Sequence, residues 1–140
     1  MIAVLDTSVA LKWYVAESDS AAAETLLALE LAAPDFILVE LANALWKKVR
    51  RGEIEPAQTQ GAHVHLAESV KLVPSASLAG EALSLAMALP HPVYDCLFLA
   101  LARDLDVPLV TADERLCRRV RASPLRDIVI PLHEWEERNA

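Results

Sequence analysis

The chain has little of what marks several common protein classes. It has two cysteines, Cys96 and Cys117, which form no C-x-x-C pair, so neither a disulfide framework nor a cysteine-rich metal site is indicated. Its three glycines complete no G-x-x-x-x-G-K-S/T or G-x-G-x-x-G motif, which argues against a P-loop NTPase or a dinucleotide enzyme. No apolar run is long enough to cross a bilayer, and the N-terminal segment lacks the basic start of a signal peptide. We therefore expect a cytoplasmic protein with reduced thiols and no membrane association.

Apolar sequence and acidic charge are abundant. Hydrophobic residues make up 54% of the 140 residues and charged residues 24%, which predicts one compact domain over residues 1–140. The formal net charge of −7 alone argues against a nucleic-acid partner. Positive charge is nevertheless concentrated in two clusters, which are Lys47, Lys48, Arg50 and Arg51, and Arg115, Arg118, Arg119 and Arg121. Such clusters are able to bind a phosphate backbone, although solvated helix faces are the simpler interpretation.

Short β-rich runs alternate with longer helical ones. Strands are predicted at 2–6, 34–37, 71–75, 107–113 and 127–132. Helical patterns cover 8–15, 19–33, 39–51, 55–70, 77–89, 93–105 and 114–122. Several of the strand runs are apolar without alternation, as strands covered on both faces are. The order predicts an α/β fold with a short, mostly parallel sheet, from which the helix pair of residues 39–70 projects.

Four carboxylates stand at the ends of these elements. Asp6 closes the first strand, Asp113 follows the strand PLVT, and Glu40 and Asp95 begin helices. Each has a local explanation, since Asp6 would cap a helix, Glu40 and Asp95 would complement helix dipoles, and Thr111 would begin a capping box in TADE. Ligands of α/β sheets bind at the carboxyl ends of the strands, so we expect the four acids to converge there. Converging carboxylates repel one another unless a cation lies among them, and oxygen ligands favour Mg²⁺ or Mn²⁺.

The segments that carry these acids resemble a known family. VLDTSVALKWYVAE, FILVELANALWKKVRRG and VYDCLFLALARDLDVPLVTADERL are similar, in order and spacing, to PIN-domain ribonucleases, and especially to the VapC-type toxins of bacterial and archaeal VapBC toxin–antitoxin pairs. The resemblance implies a three-layer α/β/α fold and a Mg²⁺- or Mn²⁺-dependent endoribonuclease that cuts RNA in single-stranded regions. It also implies a homodimer, and a VapB-like antitoxin whose C-terminal segment occupies the acidic groove.

The resemblance assigns a role to each acid. Asp6, Glu40, Asp95 and Asp113 would form the catalytic quartet. Asp6 and Asp95 would be the principal metal ligands, Asp113 would complete the metal site directly or through water, and Glu40 would hold a water molecule.

Neighbouring residues fit supporting roles. Thr7, Ser8 and Thr111 would hydrogen-bond the acids or a phosphate, and Asn43, on the same helix face as Glu40, would orient its carboxylate. The two basic clusters would bind the RNA backbone. The RNA-binding candidates are Lys47, Lys48, Arg50, Arg51, Arg115, Arg118 and Arg119.

Other functions stay open at this point. A PIN-like module that binds partners without catalysis would retain the same acids. VLDTS also resembles the nucleophile loop of haloacid-dehalogenase-type phosphatases, but these carry a second Asp where Ser8 stands, and no matching lysine follows. A receiver-like switch would pair two acids after the first strand, whereas Thr7 follows Asp6 here.

The histidines are not predicted to form a site. His63 and His65 would point to different sides of a helix, so they cannot ligate one metal together well. His91 lies near Asp95 in the sequence, but a turn role between two prolines is the simpler interpretation.

Overall fold

A five-stranded sheet in which every neighbouring pair is parallel forms the centre of the protein. It is seen in a computed structural model that describes residues 2–138; the predicted domain of residues 1–140 also includes Met1, Asn139 and Ala140, which lie outside the described residues. The strands follow the spatial order β3-β2-β1-β4-β5. They are β1 (Ala3–Leu5), β2 (Leu31–Pro34), β3 (Lys71–Val73), β4 (Leu109–Thr111) and β5 (Val129–Pro131).

Helices join the strands and cover the sheet, which confirms the predicted three-layer α/β/α architecture. They are α1 (Thr7–Ala10), α2 (Ser20–Thr25), α3 (Ile37–Arg50), α4 (Ala62–Ser69), α5 (Ala79–Ala88), α6 (Val93–Leu105), α7 (Glu114–Arg121) and α8 (Leu132–Arg138). Helix α6 packs on β1, β2 and β4 and against α5, whereas α7 and α8 contact β5. Helix α3 packs mainly on α1 and α4. This packing fits the prediction that the helix pair of residues 39–70 projects from the sheet.

The core is continuous through β1, β4 and α6. Ala3, Val4 and Leu5 are fully buried, and seven consecutive residues of α6, from Cys96 to Ala102, are buried on all sides of the helix. A helix that is apolar all round belongs inside a protein, and α6 lies between the sheet and α5. The first turn of α6, which carries Asp95, is therefore held by the packing of the turns that follow it.

The predicted position of the second strand is wrong. The strand covers Leu31–Pro34 and not 34–37, and the helix predicted for 19–33 ends at Thr25, followed by a 3₁₀ turn over 26–28. Leucine and alanine favour helices in isolation, but pairing with β1 and β3 buries this segment in the sheet. Tertiary burial therefore overrides local propensity here.

The helix predicted for 55–70 is likewise interrupted. A 3₁₀ turn covers Pro56–Thr59, and α4 begins only at Ala62. Gly61 between them has a φ of +76°, a backbone conformation that glycine adopts without steric cost. Among residues 2–138 no single helix is long and apolar enough to cross a membrane; the segments 75–88 and 93–105 pass that test only as a pair bent by 112°.

Candidate active site

Asp6 lies at the junction of β1 and α1, next to the central strand β4. Its side chain caps α1, as one of the local explanations predicted, and accepts a hydrogen bond from the backbone N–H of Val9 at 3.3 Å. The Ser8 hydroxyl donates to Oδ1 at 2.5 Å, and the Thr111 hydroxyl donates to Oδ2. Asp6 is only 7% exposed, so both carboxylate oxygens are held within the protein.

The pKa of Asp6 is raised to about 7, mainly by burial and to a smaller extent by the Asp113 carboxylate. Hydrogen bonds from Ser8, Thr111 and Val9 act in the opposite direction, because they stabilise the charged form. Desolvation outweighs these bonds, so the ionised carboxylate is costly in the isolated protein. A nearby cation would reduce that cost and lower the pKa of Asp6.

A small hydroxyl network joins β1 to β4. The Ser8 Oγ accepts a hydrogen bond from the backbone N–H of Ala112 at 2.9 Å and lies 3.3 Å from the Thr111 hydroxyl. Thr111 is fully buried, and its hydroxyl also accepts from the backbone N–H of Asp113 at 3.0 Å. The predicted neighbours Ser8 and Thr111 therefore position Asp6, and they tie it to the loop that carries Asp113.

Asp113 caps helix α7, so the predicted N-cap role of Thr111 is wrong. One oxygen of Asp113, Oδ1, accepts from the backbone N–H groups of Arg115 at 2.9 Å and Leu116 at 3.2 Å. Thr111 still belongs to β4 and is too far back in the chain to cap the helix.

Glu40 lies in the first turn of α3, where the Thr7 hydroxyl donates to its Oε1 at 2.8 Å. Burial raises the pKa of Glu40, the bond from Thr7 opposes this change, and the Asp95 carboxylate adds to it. Asn43 was expected to orient Glu40, but its side chain is exposed and within residues 2–138 Thr7 is the hydrogen-bond donor to that carboxylate. Thr7 therefore orients Glu40 across the gap between α1 and α3.

Asp95, in the first turn of α6, is paired with a buried histidine. Its Oδ2 lies 2.6 Å from Nε2 of His91, whose side chain is only 1% exposed. Burial raises the pKa of Asp95, the contact with His91 lowers it, and the Asp113 carboxylate raises it again. His91 thus has a structural role beyond the turn in which it lies, since it holds one oxygen of a predicted metal ligand.

The surroundings of Nδ1, the second ring nitrogen of His91, indicate which nitrogen carries the proton in a neutral ring. Within residues 2–138, its buried Nδ1 has no hydrogen-bond partner. A proton on Nδ1 would be an unpaired buried donor, which is costly, whereas a proton on Nε2 is shared with Asp95. In a neutral imidazole the arrangement therefore favours the tautomer with the proton on Nε2. The spacing of four residues between His91 and Asp95 is the one sequence signal that points to this pair.

The charges of the four acids act on one another in pairs. Asp113 raises the pKa of both Asp6 and Asp95, and Asp95 raises that of Glu40. One oxygen each of Asp95, Asp113 and Glu40 accepts no hydrogen bond from any group within residues 2–138. The oxygen-only donor set fits Mg²⁺ or Mn²⁺. Within the same residues, however, no three acidic, histidine or cysteine side chains are already arranged around a metal position.

The basic cluster on α3 lies away from the acids. Lys47 follows Glu40 by seven residues, which is about 10 Å along the helix axis at about 1.5 Å per residue. Lys48 pairs with Glu53 at 3.1 Å, and Arg50 lies 5.3 Å from the centre of the exposed Trp46 ring. Arg51 is exposed just after the helix.

The cluster on α7 lies beside the acids instead. Arg115 is the second residue after Asp113, and its charge lowers the pKa of Asp95. Arg118 and Arg119 follow one turn later and are both exposed. Of the two clusters, the one on α7 is therefore placed to meet a phosphate bound at the acids.

The raised pKa of Asp6 predicts how stability changes with pH. The folded protein binds the Asp6 proton more tightly than the unfolded chain, where the ordinary value is 3.8. The free energy of unfolding should therefore fall as pH rises from about 4 to about 7, and an Asp6→Asn variant should lack this contribution of a few kcal/mol. Urea denaturation at about pH 4.5 and about pH 8, with divalent ions removed, measures it. The exposed Asp104→Asn is the matched control, and an unchanged pH profile in Asp6→Asn would contradict the assignment.

The contact between His91 and Asp95 predicts energetic coupling. Urea denaturation of His91→Ala, Asp95→Ala and the double variant should give a coupling free energy of about 1–2 kcal/mol, the range for a hydrogen bond to a partly exposed charged group. His91→Gln, which keeps an N–H donor at a similar reach, should retain part of the coupling. Additive effects of the two alanine substitutions would show that the pair is not formed in solution.

Comparisons with known proteins agree with the geometry. A family model described as PIN domain matches residues 3–122. The chain is 32% identical over 124 residues to Ribonuclease VapC3 of Pyrobaculum aerophilum, a match that covers 85% of this chain and 95% of that protein. The crystal structure of PAE2754 from the same organism superposes with a TM-score of 0.75 at 21% identity, over 99% of this chain and 96% of that one, and shows a shared fold. The chain belongs to the PIN-domain family, among its VapC-type ribonucleases.

Proposed function

We propose that the protein is a Mg²⁺- or Mn²⁺-dependent endoribonuclease that hydrolyses phosphodiester bonds in single-stranded regions of RNA. The observation that supports the proposal is that four carboxylates from four separate elements act on one another electrostatically, Asp113 on Asp6 and Asp95, and Asp95 on Glu40. Structural need alone does not account for them, because mutual repulsion and burial raise the pKa values of Asp6, Glu40 and Asp95. Membership of the VapC-type family supports the same chemistry.

The residues fit a division of labour. Asp6, Asp95 and Asp113 would hold the cation, and Glu40 would hold a water molecule against the phosphate. When bound, a divalent ion polarises a phosphodiester oxygen and lowers the pKa of water. The protein supplies orientation. Ser8 and Thr111 fix Asp6, His91 turns Asp95 so that its other oxygen is available, and Thr7 does the same for Glu40.

The biological setting belongs to the same proposal. We propose a cytoplasmic toxin of a toxin–antitoxin pair that forms a homodimer and is restrained by a VapB-like antitoxin, with the C-terminal segment of the antitoxin in the acidic groove. The name of the VapC3 relative supports this setting. Exposed apolar side chains of α3 and α5, including Val39, Trp46 and Met87, fit contact with protein partners.

Two alternatives differ in how the observations bear on them. A partner-binding module without catalysis is favoured by the lack, within residues 2–138, of a preformed set of three metal donors. A phosphatase that attacks through Asp6 is disfavoured, because Ser8 stands where such enzymes carry a second Asp and no matching lysine follows.

Cleavage assays separate the nuclease from the binding module. The purified chain, free of antitoxin, should cleave total RNA with Mg²⁺ or Mn²⁺ and not with a chelator. The Asp6→Asn and Asp95→Asn variants should lose at least about 100-fold in rate, since metal assistance is worth several kcal/mol. Asp104→Asn, at an exposed position on α6, is the control for loss of one negative charge. Equal residual activity in the parent and both site variants would favour the binding module.

Thermal unfolding tests the cation site without reference to activity. Mg²⁺ or Mn²⁺ should raise the melting temperature by mass action, and a concentration of about 100 times Kd corresponds to about 2.7 kcal/mol. Asp95→Asn should reduce the shift, whereas Asp104→Asn should not. A flat response in the parent protein would argue against a site that forms in the free chain.

A further inference from the structure

A cavity opens at the same edge of the sheet as the acids. It has a volume of about 430 Å³ and lies between α7, the start of α8 and the loop before α2. Thr111 and Pro131, which are paired across β4 and β5, both lie in its wall. The volume is in the range of small-molecule sites, and the position, outside the carboxyl ends of parallel strands, is where α/β proteins bind ligands.

The cavity and the acidic site share a wall. Thr111 lines the cavity, and its hydroxyl donates to Asp6. Cys117 also lines the cavity. Burial raises the pKa of its thiol, and the carboxylates of Asp6 and Asp113 raise it further. A ligand in the cavity would therefore lie next to a phosphate bound at the acids.

One face of α7 supplies two arginines and one glutamate to the cavity. Glu114, Cys117, Arg118 and Arg121 all line it, and their spacing of three and four residues places them on one side of the helix. Arg118 and Arg121 are exposed, and neither forms an ion pair within residues 2–138. By contrast, the carboxylate of Asp19, on the opposite wall, pairs with Lys12 at 2.8 Å. The two guanidinium groups are thus available to a ligand.

The rest of the lining combines apolar and polar groups. Ala112, Pro131 and Leu132 offer apolar contact, while Glu134 offers a hydrogen-bond acceptor. An apolar wall, an acceptor and two free guanidinium groups suit a ligand with a flat base and a phosphate.

We propose that this cavity binds one unstacked nucleotide of the RNA, adjacent to the scissile phosphate, with Arg118 and Arg121 on its phosphate. The inference rests on the proposed nuclease function and deepens it. It also divides the α7 cluster, since Arg118 and Arg121 face the cavity and Arg115 and Arg119 do not line it. The two guanidinium groups that face the cavity carry the charge complementary to a phosphate, so a substrate nucleotide is the occupant that the lining favours.

Binding measurements test the role of the arginines. In an Asp95→Asn background, a labelled single-stranded oligoribonucleotide of about 12 nucleotides is titrated at several salt concentrations. Arg118→Ala/Arg121→Ala should weaken binding and reduce the slope of log K against log salt by about 0.7, the value for one lost phosphate contact on a single strand. Lys71→Ala, at the amino end of β3 and exposed, controls for loss of positive charge. An unchanged slope in the double variant, or an equal change in Lys71→Ala, would overturn the proposal.

Alkylation of Cys117 reports directly on the cavity. Nucleoside 5′-monophosphates should slow the reaction of Cys117 with iodoacetamide in the parent protein, by about tenfold at about ten times their Kd. The buried Cys96 serves as the internal reference. Ribose 5-phosphate should protect much less, because it lacks the base. Equal protection by ribose 5-phosphate would overturn the base site, and no protection by any nucleotide would overturn the cavity as a nucleotide site.

The two proposals fail in different ways. If the parent chain cleaves RNA but the arginine variant binds and cleaves like the control, the nuclease function is supported and the proposed nucleotide site is overturned. If nucleotides protect Cys117 but the parent protein does not cleave RNA, the nucleotide site is supported and the proposed nuclease function is overturned. If the arginine variant loses affinity only for a co-expressed antitoxin peptide, the cavity belongs to a protein partner and the nucleotide proposal is overturned.

Discussion

The structure depends on holding one buried carboxylate, Asp6, at the junction of its two central strands. Hydroxyl groups from Ser8 and Thr111 hold it from opposite sides of that junction, and the same two residues fasten the loop that ends in Asp113. The bonds do not fully offset desolvation, since the pKa of Asp6 stays raised. The ionised carboxylate of Asp6 is therefore costly in the isolated protein, and a cation would stabilise it. Asp6 thus bears both on the stability of the fold and on the candidate site.

Each of the other three acids is also held by hydrogen bonding to one of its carboxylate oxygens. Thr7 holds Glu40, His91 holds Asp95, and backbone N–H groups at the start of α7 hold Asp113. In each case one carboxylate oxygen is occupied and the other is left without a partner from the described residues. A carboxylate with one oxygen fixed loses less conformational freedom when the other binds a cation, which is preorganisation.

The sequence predicted the positions of the four acids better than it predicted the bounds of the elements around them. Each acid stands at a strand end or at the start of a helix, as expected, and parallel strands bring strand ends to one edge. Strand β2 was misplaced because its residues, Leu31 to Pro34, resemble the end of a helix until the neighbouring strands are known. His91 was missed for a related reason. A histidine between prolines gives no sign of burial, and only the packed end of α5 against α6 encloses it.

The proposed RNA substrate requires positive charge near the carboxylates of an acidic protein, and α7 is the helix that places arginines there. The helix begins at Asp113, so its first residues must lie at the acidic edge, and every basic residue that follows is placed by helical periodicity relative to that point. Arg118 and Arg121 lie on the same face of α7 as Cys117, and the carboxylates of Asp6 and Asp113 raise the pKa of the Cys117 thiol. Arg119 does not line the cavity. The basic cluster on α3 lacks such an anchor, because its acid, Glu40, is at the other end of the helix. A net charge of −7 is therefore compatible with the proposed RNA substrate, since the proposal depends on where the arginines lie relative to the carboxylates.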